Sequence, residues 1–307
     1  MRLPDELREA LDVELDVRGL GRMLGVEPVG GGCITETGRL RTSDDRDFFL
    51  KWTTSERHPV GLFTGEAASL GALAATGAIR IPEVVHVRDG QPGDRAEDGH
   101  GRWLLLEWLE AGAAVEHTWS SLGRSLAAVH RQRAEKPGWA SANFIGTLPQ
   151  ANSPLPAWSD FWRERRLVPQ IRRAVDGGFL HASDTARFDR LLGALDDVLA
   201  PAESEGASLL HGDLWSGNLH VLRSGDPVLV DPACYYGHRE VDLAMSELFG
   251  GFDRVFYAAY DEAWPLEPGY ADVRRAVYQL YYLLVHVNLF GAAYRLRTLA
   301  ALESTGF

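Results

Sequence analysis

The stretch HGDLWSGN, residues His211 to Asn218, settles how the rest of the chain is read. It lies between two apolar runs, SLL before it and LHVL after it. Gly, Asp, Ser and Asn between strand-like runs are the composition of a tight connection. The same eight residues also hold a histidine, a carboxylate and a carboxamide. A turn needs nothing more, whereas a reactive loop needs partners elsewhere. Asn218 follows Asp213 by five positions, and Asp231 ends the next apolar run, VLV.

Composition narrows the classes of partner. A chain of 307 residues with 45% hydrophobic content is long enough for a large core. A net charge of -12 and the lack of a long Lys/Arg block argue against nucleic acid, whose phosphates need a basic face. An acidic surface suits a cationic small molecule better. Cys33 and Cys234 lie far apart and match no metal spacing, which points to a reducing compartment. The opening MRLPDELREALDVEL reads as a charged amphipathic helix, so a cytoplasmic protein without a signal peptide is expected. The most apolar stretch, from Leu280 to Tyr294, carries His286 and Asn288 and is shorter than a membrane span, so it is read as a buried core helix and no membrane partner is expected.

The pattern changes along the chain. Before residue 110, VEPVGGGCITETGRLRT, DFFLKW, VVHVRDG and RWLLLEWL read as strands. FTGEAASLGALAATG, with Ala67, Leu70, Leu73 and Ala74 at helical spacing, interrupts them. After Glu110 most segments read as helices, and HGDLWSGN with LVDPA forms a short β island. The expectation is an α+β chain of two lobes: a β-rich N-terminal lobe over 1–109, a hinge near LLLEWLEAG, and a larger helical lobe over 110–307. A cleft between the lobes is the natural place for a ligand.

Asp213, Asn218 and Asp231 fit one chemistry well. Phosphoryl transfer from ATP needs a carboxylate to accept an alcohol proton, and a carboxamide oxygen with a second carboxylate to hold Mg²⁺ on the phosphates. The protein-kinase catalytic loop uses the same D-x-x-x-x-N spacing, with its metal-binding Asp one hairpin later. A phosphate-binding lysine on an earlier strand is then required. Only Lys51 and Lys136 among the 31 Lys and Arg residues are lysines, and Lys51 ends the strand FFLK after a glycine cluster. An ammonium and a guanidinium are not interchangeable against phosphate, so a lysine here has a chemical reason. Glu66, expected in the first turn of the helix that follows, is its natural partner, although a helix macrodipole alone also favours an acid there. Gly30, Gly31 and Gly32 stand where a phosphate cover belongs but do not make G-x-G-x-x-G. His211 is expected to brace the loop and Asp242 to tie it through its backbone. His238 and Arg239 either support Asp231 or touch substrate. Trp158 and Trp162, four apart on one helical face, are read as core. Cys33, beside the glycines, invites a thiolate reading, but a small residue fitted to a tight loop explains it as well.

With these residues in place, the chain resembles the fructosamine kinases, or ketosamine-3-kinases, relatives of the aminoglycoside and choline kinases in the protein-kinase-like fold. The resemblance rests on HGDLWSGN with its Trp215, on DPACYYGHREVDLAMSELFGGF, on NFIGTLPQANSPLPAWSDFWRERRLVPQ and on GGGCI, and so runs over most of the chain. It implies that Asp213 is the base, that Asn218 and Asp231 hold Mg²⁺, and that Lys51 and Glu66 form the phosphate pair. It further implies that Gly31 and Gly32 cover the nucleotide and that Glu107 to Leu109 contact adenine. Trp215, His238 and Arg239 are implied on the substrate side or as its support. The implied reaction is ATP-dependent phosphorylation of the 3-hydroxyl of a ketosamine, free or on a glycated protein amine, after which the adduct decomposes and the amine is freed. Ser216 departs from the family where a second glycine is frequent. A phosphotransferase for an aminoglycoside, choline or another alcohol is the alternative, and a nucleotide-binding pseudokinase is a further one.

Overall fold

The computed structural model describes residues 3–30, 34–90 and 101–307. The readings placed on Gly31, Gly32 and Cys33 fall outside the described residues. The N-terminal part runs α1 (Asp5–Val17), β1 (Met23–Pro28), β2 (Glu36–Thr42), β3 (Asp47–Thr53), α2 (Leu62–Ala75), β4 (Val84–Arg88) and β5 (Arg102–Glu107). Among the described residues its strands form one antiparallel sheet in the order β1-β2-β3-β5-β4.

The period of two along a strand divides these residues between two cores. Phe48, Leu50 and Trp52 of β3, with Trp103 and Leu105 of β5, are buried with Leu7, Leu11 and Leu15 of α1. Leucine at every fourth position gives α1 the single apolar stripe that covers this face. The alternate residues, Leu104 and Leu106, belong to the main core with Phe63, Leu70 and Leu73 of α2. Lys51 sits mid-sheet, opposite Thr37 and Leu104, and takes the same side as Phe49. The expected helix is α2, whose buried stripe runs through Phe63, Leu70 and Leu73, with Ala74 at its edge in solvent. The expected place of Glu66 in its first turn needs correction. Helix α2 starts at Leu62 with no acidic residue in its first turn, so Glu66 lies beyond the reach of a terminal dipole argument.

The remainder runs α3 (Glu116–His130), β6 (Arg133–Ala134), β7 (Asn143–Ile145), β8 (Leu148–Gln150), α4 (Trp158–Phe161), a π-helical stretch (Trp162–Leu167) and α5 (Val168–Asp176). It continues with α6 (Ala182–Val198), α7 (Ala200–Glu205), β9 (Ala207–Leu210), β10 (Leu219–Val221), β11 (Pro227–Leu229) and β12 (Tyr235–Gly237). It closes with α8 (Glu240–Leu248), α9 (Arg254–Ala263), α10 (Arg275–Phe290) and α11 (Arg295–Ser304). The expected buried helix is α10, with Tyr278 and Leu280 to Val285 in the core, but it stops short of Tyr294: Phe290 is exposed, and after Gly291 the chain turns into a short 3-10 stretch at Ala292–Tyr294 without buried residues. Trp158 and Trp162 pack against Tyr278, as the core reading requires. No helix among the described residues is long and apolar enough to cross a membrane.

HGDLWSGN joins β9 to β10 and ends in a 3-10 turn at Ser216–Asn218. Gly212 has φ +82°, and a Cβ there would meet the Ala233 carbonyl oxygen at 2.1 Å. Only glycine combines that backbone with so close an approach.

Candidate active site

Strand β3, helix α2 and the two loops flanking β10 and β11 bring four charged side chains to one cavity of about 140 Å³. Lys51 Nζ lies 2.7 and 2.9 Å from the two Glu66 oxygens and 3.0 Å from Asp231 Oδ1. Lys51 is nearly enclosed, at 7% exposure. Burial opposes its charge, but the pull of Asp231 and Glu66 outweighs this and raises its pKa above the ordinary ammonium range. Burial raises the Glu66 carboxyl in turn, with the Lys51 charge opposing. One cation is therefore shared between two carboxylates.

Asp213 lines the same cavity. Burial and then the Asp231 charge push its carboxyl up to about 7, against the Asn218 hydrogen bond. Asn218 Nδ2 donates to the Asp213 carbonyl at 2.8 Å and to Asp213 Oδ2 at 3.2 Å. With its nitrogen end engaged there, the Asn218 side-chain oxygen is the end that could hold a cation. Asp231 adopts φ +55°, a left-handed conformation that Asp and Asn tolerate better than most residues.

The loop is held from behind. Asp242 of α8 accepts the N–H groups of His211 at 2.7 Å and Gly212 at 2.9 Å, and His130 Nε2 lies 3.1 Å from the same carboxylate. Tyr282 of α10 donates to the Gly212 carbonyl at 2.8 Å. His211 Nδ1 accepts the Asp213 N–H at 3.3 Å, which makes Nε2 the protonated nitrogen, donating to Val230 O at 3.0 Å. Burial lowers the His211 pKa, which suits a neutral brace.

A second cavity, of about 340 Å³, lies beside Glu107, Leu109 and Gly30, with Phe49, Leu219 and Val230 on its walls. The Glu107 carboxylate is engaged by Arg80 and by the Glu83 N–H. Trp215 lines the first cavity and meets Phe249 edge to face at 6.5 Å. His238 and Arg239 are not brought to either cavity. His238 Nε2 lies 3.0 Å from Glu205, and Arg239 binds Glu205 at 2.7 and 2.8 Å and the Trp264 and Pro265 carbonyls. Both are buried behind the site.

The hairpin β7–β8 is a site element that the motifs do not single out, although Ile145-Gly146-Thr147-Leu148 carries a two-residue turn between apolar residues. Asn143 to Gly146 form one wall of the first cavity. Asn143 Nδ2 donates to Cys234 O at 3.0 Å and Gln150 Nε2 to Ala233 O at 3.2 Å, so the hairpin holds the loop after Asp231. Phe49 was also missed, and its place two residues before Lys51 on a period-two strand is the signal that puts it on the cleft face.

A solved aminoglycoside phosphotransferase matches with a TM-score of 0.59 over 96% of this chain and 99% of that one, at 17% identity. The fold is thus that of the protein-kinase-like phosphotransferases. A crystal structure of a candidate fructosamine-3-kinase from Thermobifida fusca matches with a TM-score of 0.82, at 33% identity over 96% and 98% of the two chains. The chain belongs to the fructosamine kinase family, which its residues 17–305 match. It is 42% identical over 274 residues to a "Probable ketoamine kinase" of Synechocystis sp., covering 87% of this chain and 85% of that protein. It is 36% identical over 287 residues to a chloroplastic "Protein-ribulosamine 3-kinase" of Oryza sativa subsp. japonica, covering 92% and 79%.

Proposed function

We propose that this protein is an ATP-dependent kinase that phosphorylates the 3-hydroxyl of ketosamines, free or on glycated protein amines. The observation that carries the reading is the convergence of Asp213, Asn218, Asp231 and the Lys51–Glu66 pair on one cavity. The family and the names of its ketoamine and ribulosamine kinases support the choice of acceptor.

In this reading Asp213 accepts the proton of the acceptor hydroxyl as its oxygen bonds to the γ-phosphorus and the bond to ADP breaks. Lys51, aimed by Glu66, meets the donor's phosphates. The wider cavity beside Glu107 and Leu109 takes the adenine, Gly31 and Gly32 are assigned to the phosphate cover on sequence alone, and Trp215 faces the acceptor. His238 and Arg239 support the loop from behind. The residues suit Mg²⁺: Asp231 and the freed Asn218 oxygen are hard oxygen donors, and a cation relieves the repulsion between Asp213 and Asp231. When bound, such an ion would screen the charge of the donor's phosphates.

The test is turnover with ATP and Mg²⁺ against fructosamine, ribulosamine, an aminoglycoside and choline, scored by ADP release and by ³¹P NMR of the product. A 3-phosphorylated ketosamine is expected, and Asp213→Asn is expected to lose about a thousandfold or more in kcat. Turnover on another alcohol with none on ketosamines overturns the acceptor assignment. ATP binding without turnover on any acceptor leaves a pseudokinase.

A further inference from the structure

The meeting of Lys51 with Glu66 depends on residues 54–61, which join β3 to α2. Helix α2 begins after Gly61, at φ +89°, with no side chain of its own as a cap. Such a start leaves first-turn N–H groups without an acceptor. Asp89, just past the end of β4, supplies one from outside the helix. Its Oδ2 accepts the Phe63 N–H at 2.8 Å, and its side chain is fully buried. Arg102 stands opposite Thr53 in the β3–β5 register. It donates to the carbonyls of Ser55 at 3.1 Å, His58 at 2.8 Å and Pro59 at 2.6 Å, and its Nη1 lies 3.5 Å from Asp89 Oδ1. Thr53 Oγ1 closes the loop from the other side, 2.7 Å from His58 Nδ1.

We propose that Asp89 and Arg102 are positioning residues for the Lys51–Glu66 pair, fixing where α2 starts and so where Glu66, one turn after Phe63, presents its carboxylate. The inference rests on reading that pair as the one that binds the donor's phosphates. Neither residue lines the two cavities of the site, so any effect on it is indirect, through the loop and helix that carry Glu66. Three hydrogen bonds from Arg102 hold the loop carbonyls and one to buried Asp89 holds the first turn of α2, beside the loop's own bonds from the Arg57 N–H to Ser55 Oγ and from the His58 N–H to Ser55 O at 3.2 Å. Loss of the external cap frees the first turn of α2, and a displacement of a catalytic group by about 1 Å is enough to cost large factors in rate.

The experiment compares the affinities of ATP and adenosine in the wild type, Asp89→Ala, Asp89→Asn, Glu66→Gln and the Asp89→Ala/Glu66→Gln double variant, with thermal unfolding as a check on folding. Asp89→Ala is expected to weaken ATP about tenfold, the size of a lost cap bond, and to leave adenosine within about twofold. Asp89→Asn, which keeps an acceptor for the Phe63 N–H, is expected to recover most of the loss. In the double variant Asp89→Ala is expected to add little, since Glu66 is the group through which it acts. Unchanged ATP affinity in Asp89→Ala, equal losses for ATP and adenosine, or losses that multiply in the double variant each overturn the proposal. If Asp89→Ala does not fold, Arg102→Gln is read by the same comparison with the same outcomes. Lys51→Met separates the two readings. If it leaves ATP affinity intact, the phosphate-pair reading fails and takes this inference with it. If it weakens ATP while Asp89→Ala does not, only the inference fails.

Discussion

Asp213 shows how much of a residue's chemistry comes from its surroundings. An aspartate in water ionises near 4, but here burial and the Asp231 charge hold its carboxyl up to about 7. A base works deprotonated, so activity is lost as pH falls through that value. We expect kcat/KM to drop about tenfold per pH unit below roughly pH 7 and to level above it, with the midpoint moving lower when a cation neutralises Asp231. An acid limb that persists unchanged in the residual activity of Asp213→Asn would remove Asp213 from the role of base. His211, two residues earlier, has the opposite fate: with Nδ1 on the Asp213 N–H and Nε2 on Val230 O, both ring nitrogens are committed to bracing. The sequence signals these two roles only weakly, because the motif names both residues and the hydrogen bonds tell them apart.

At the scale of elements, the question is what holds the loop still. Helix α8 carries Asp242, and its start is anchored by Glu205 at the end of α7, through His238 and the fully buried Arg239. Burial opposes ionisation of Glu205, but the hydrogen bonds and charges of Arg239 and His238 outweigh it and hold its carboxyl down to about 2. A carboxyl depressed in the folded state stabilises above its unfolded pKa, near 4.5, and that stability is lost as pH falls toward about 2. Glu205→Gln is expected to cost on the order of 3 kcal/mol in denaturant unfolding at neutral pH, because it leaves Arg239 buried without its charge partner. It is also expected to flatten the acid limb between about pH 4.5 and 2, and a cost below about 1 kcal/mol would show that α8 is held by packing alone.

Across the whole molecule, the main core is continuous from α2 and β5 into the helical part: Phe63, Leu70 and Leu104 share it with Leu209, Leu214 and Leu229. We propose 109/110 as the boundary between the lobes, and the segment just after it is pinned by the Gly112 N–H to Val221 O at 2.8 Å and by an Ala111–Leu222 bridge. A chain joined by core and linker alike is expected to unfold in one calorimetric transition, with van't Hoff and calorimetric enthalpies in agreement. Two resolved transitions would mean that the lobes fold as separate units.

The sequence by itself determined the local features of this protein. The leucine spacing of α1, the alternation in DFFLKW, the apolar run of α10 and the D-x-x-x-x-N loop are short-range patterns, and short-range patterns are what helix and strand periods write into a chain. It also named the charged groups of the site, since a lone lysine on a strand and three spaced polar residues answer to one chemistry. Only the tertiary structure decided which groups share a charge, which carboxyl is held near neutrality, and that His238 and Arg239 bind Glu205 away from the two cavities. Asp89 caps a helix that begins 27 positions before it in the chain, and Glu205 binds an arginine 34 positions further on. Such pairings depend on how strands and helices are stacked, and burial, which sets the pKa of Asp213, does not exist until they are.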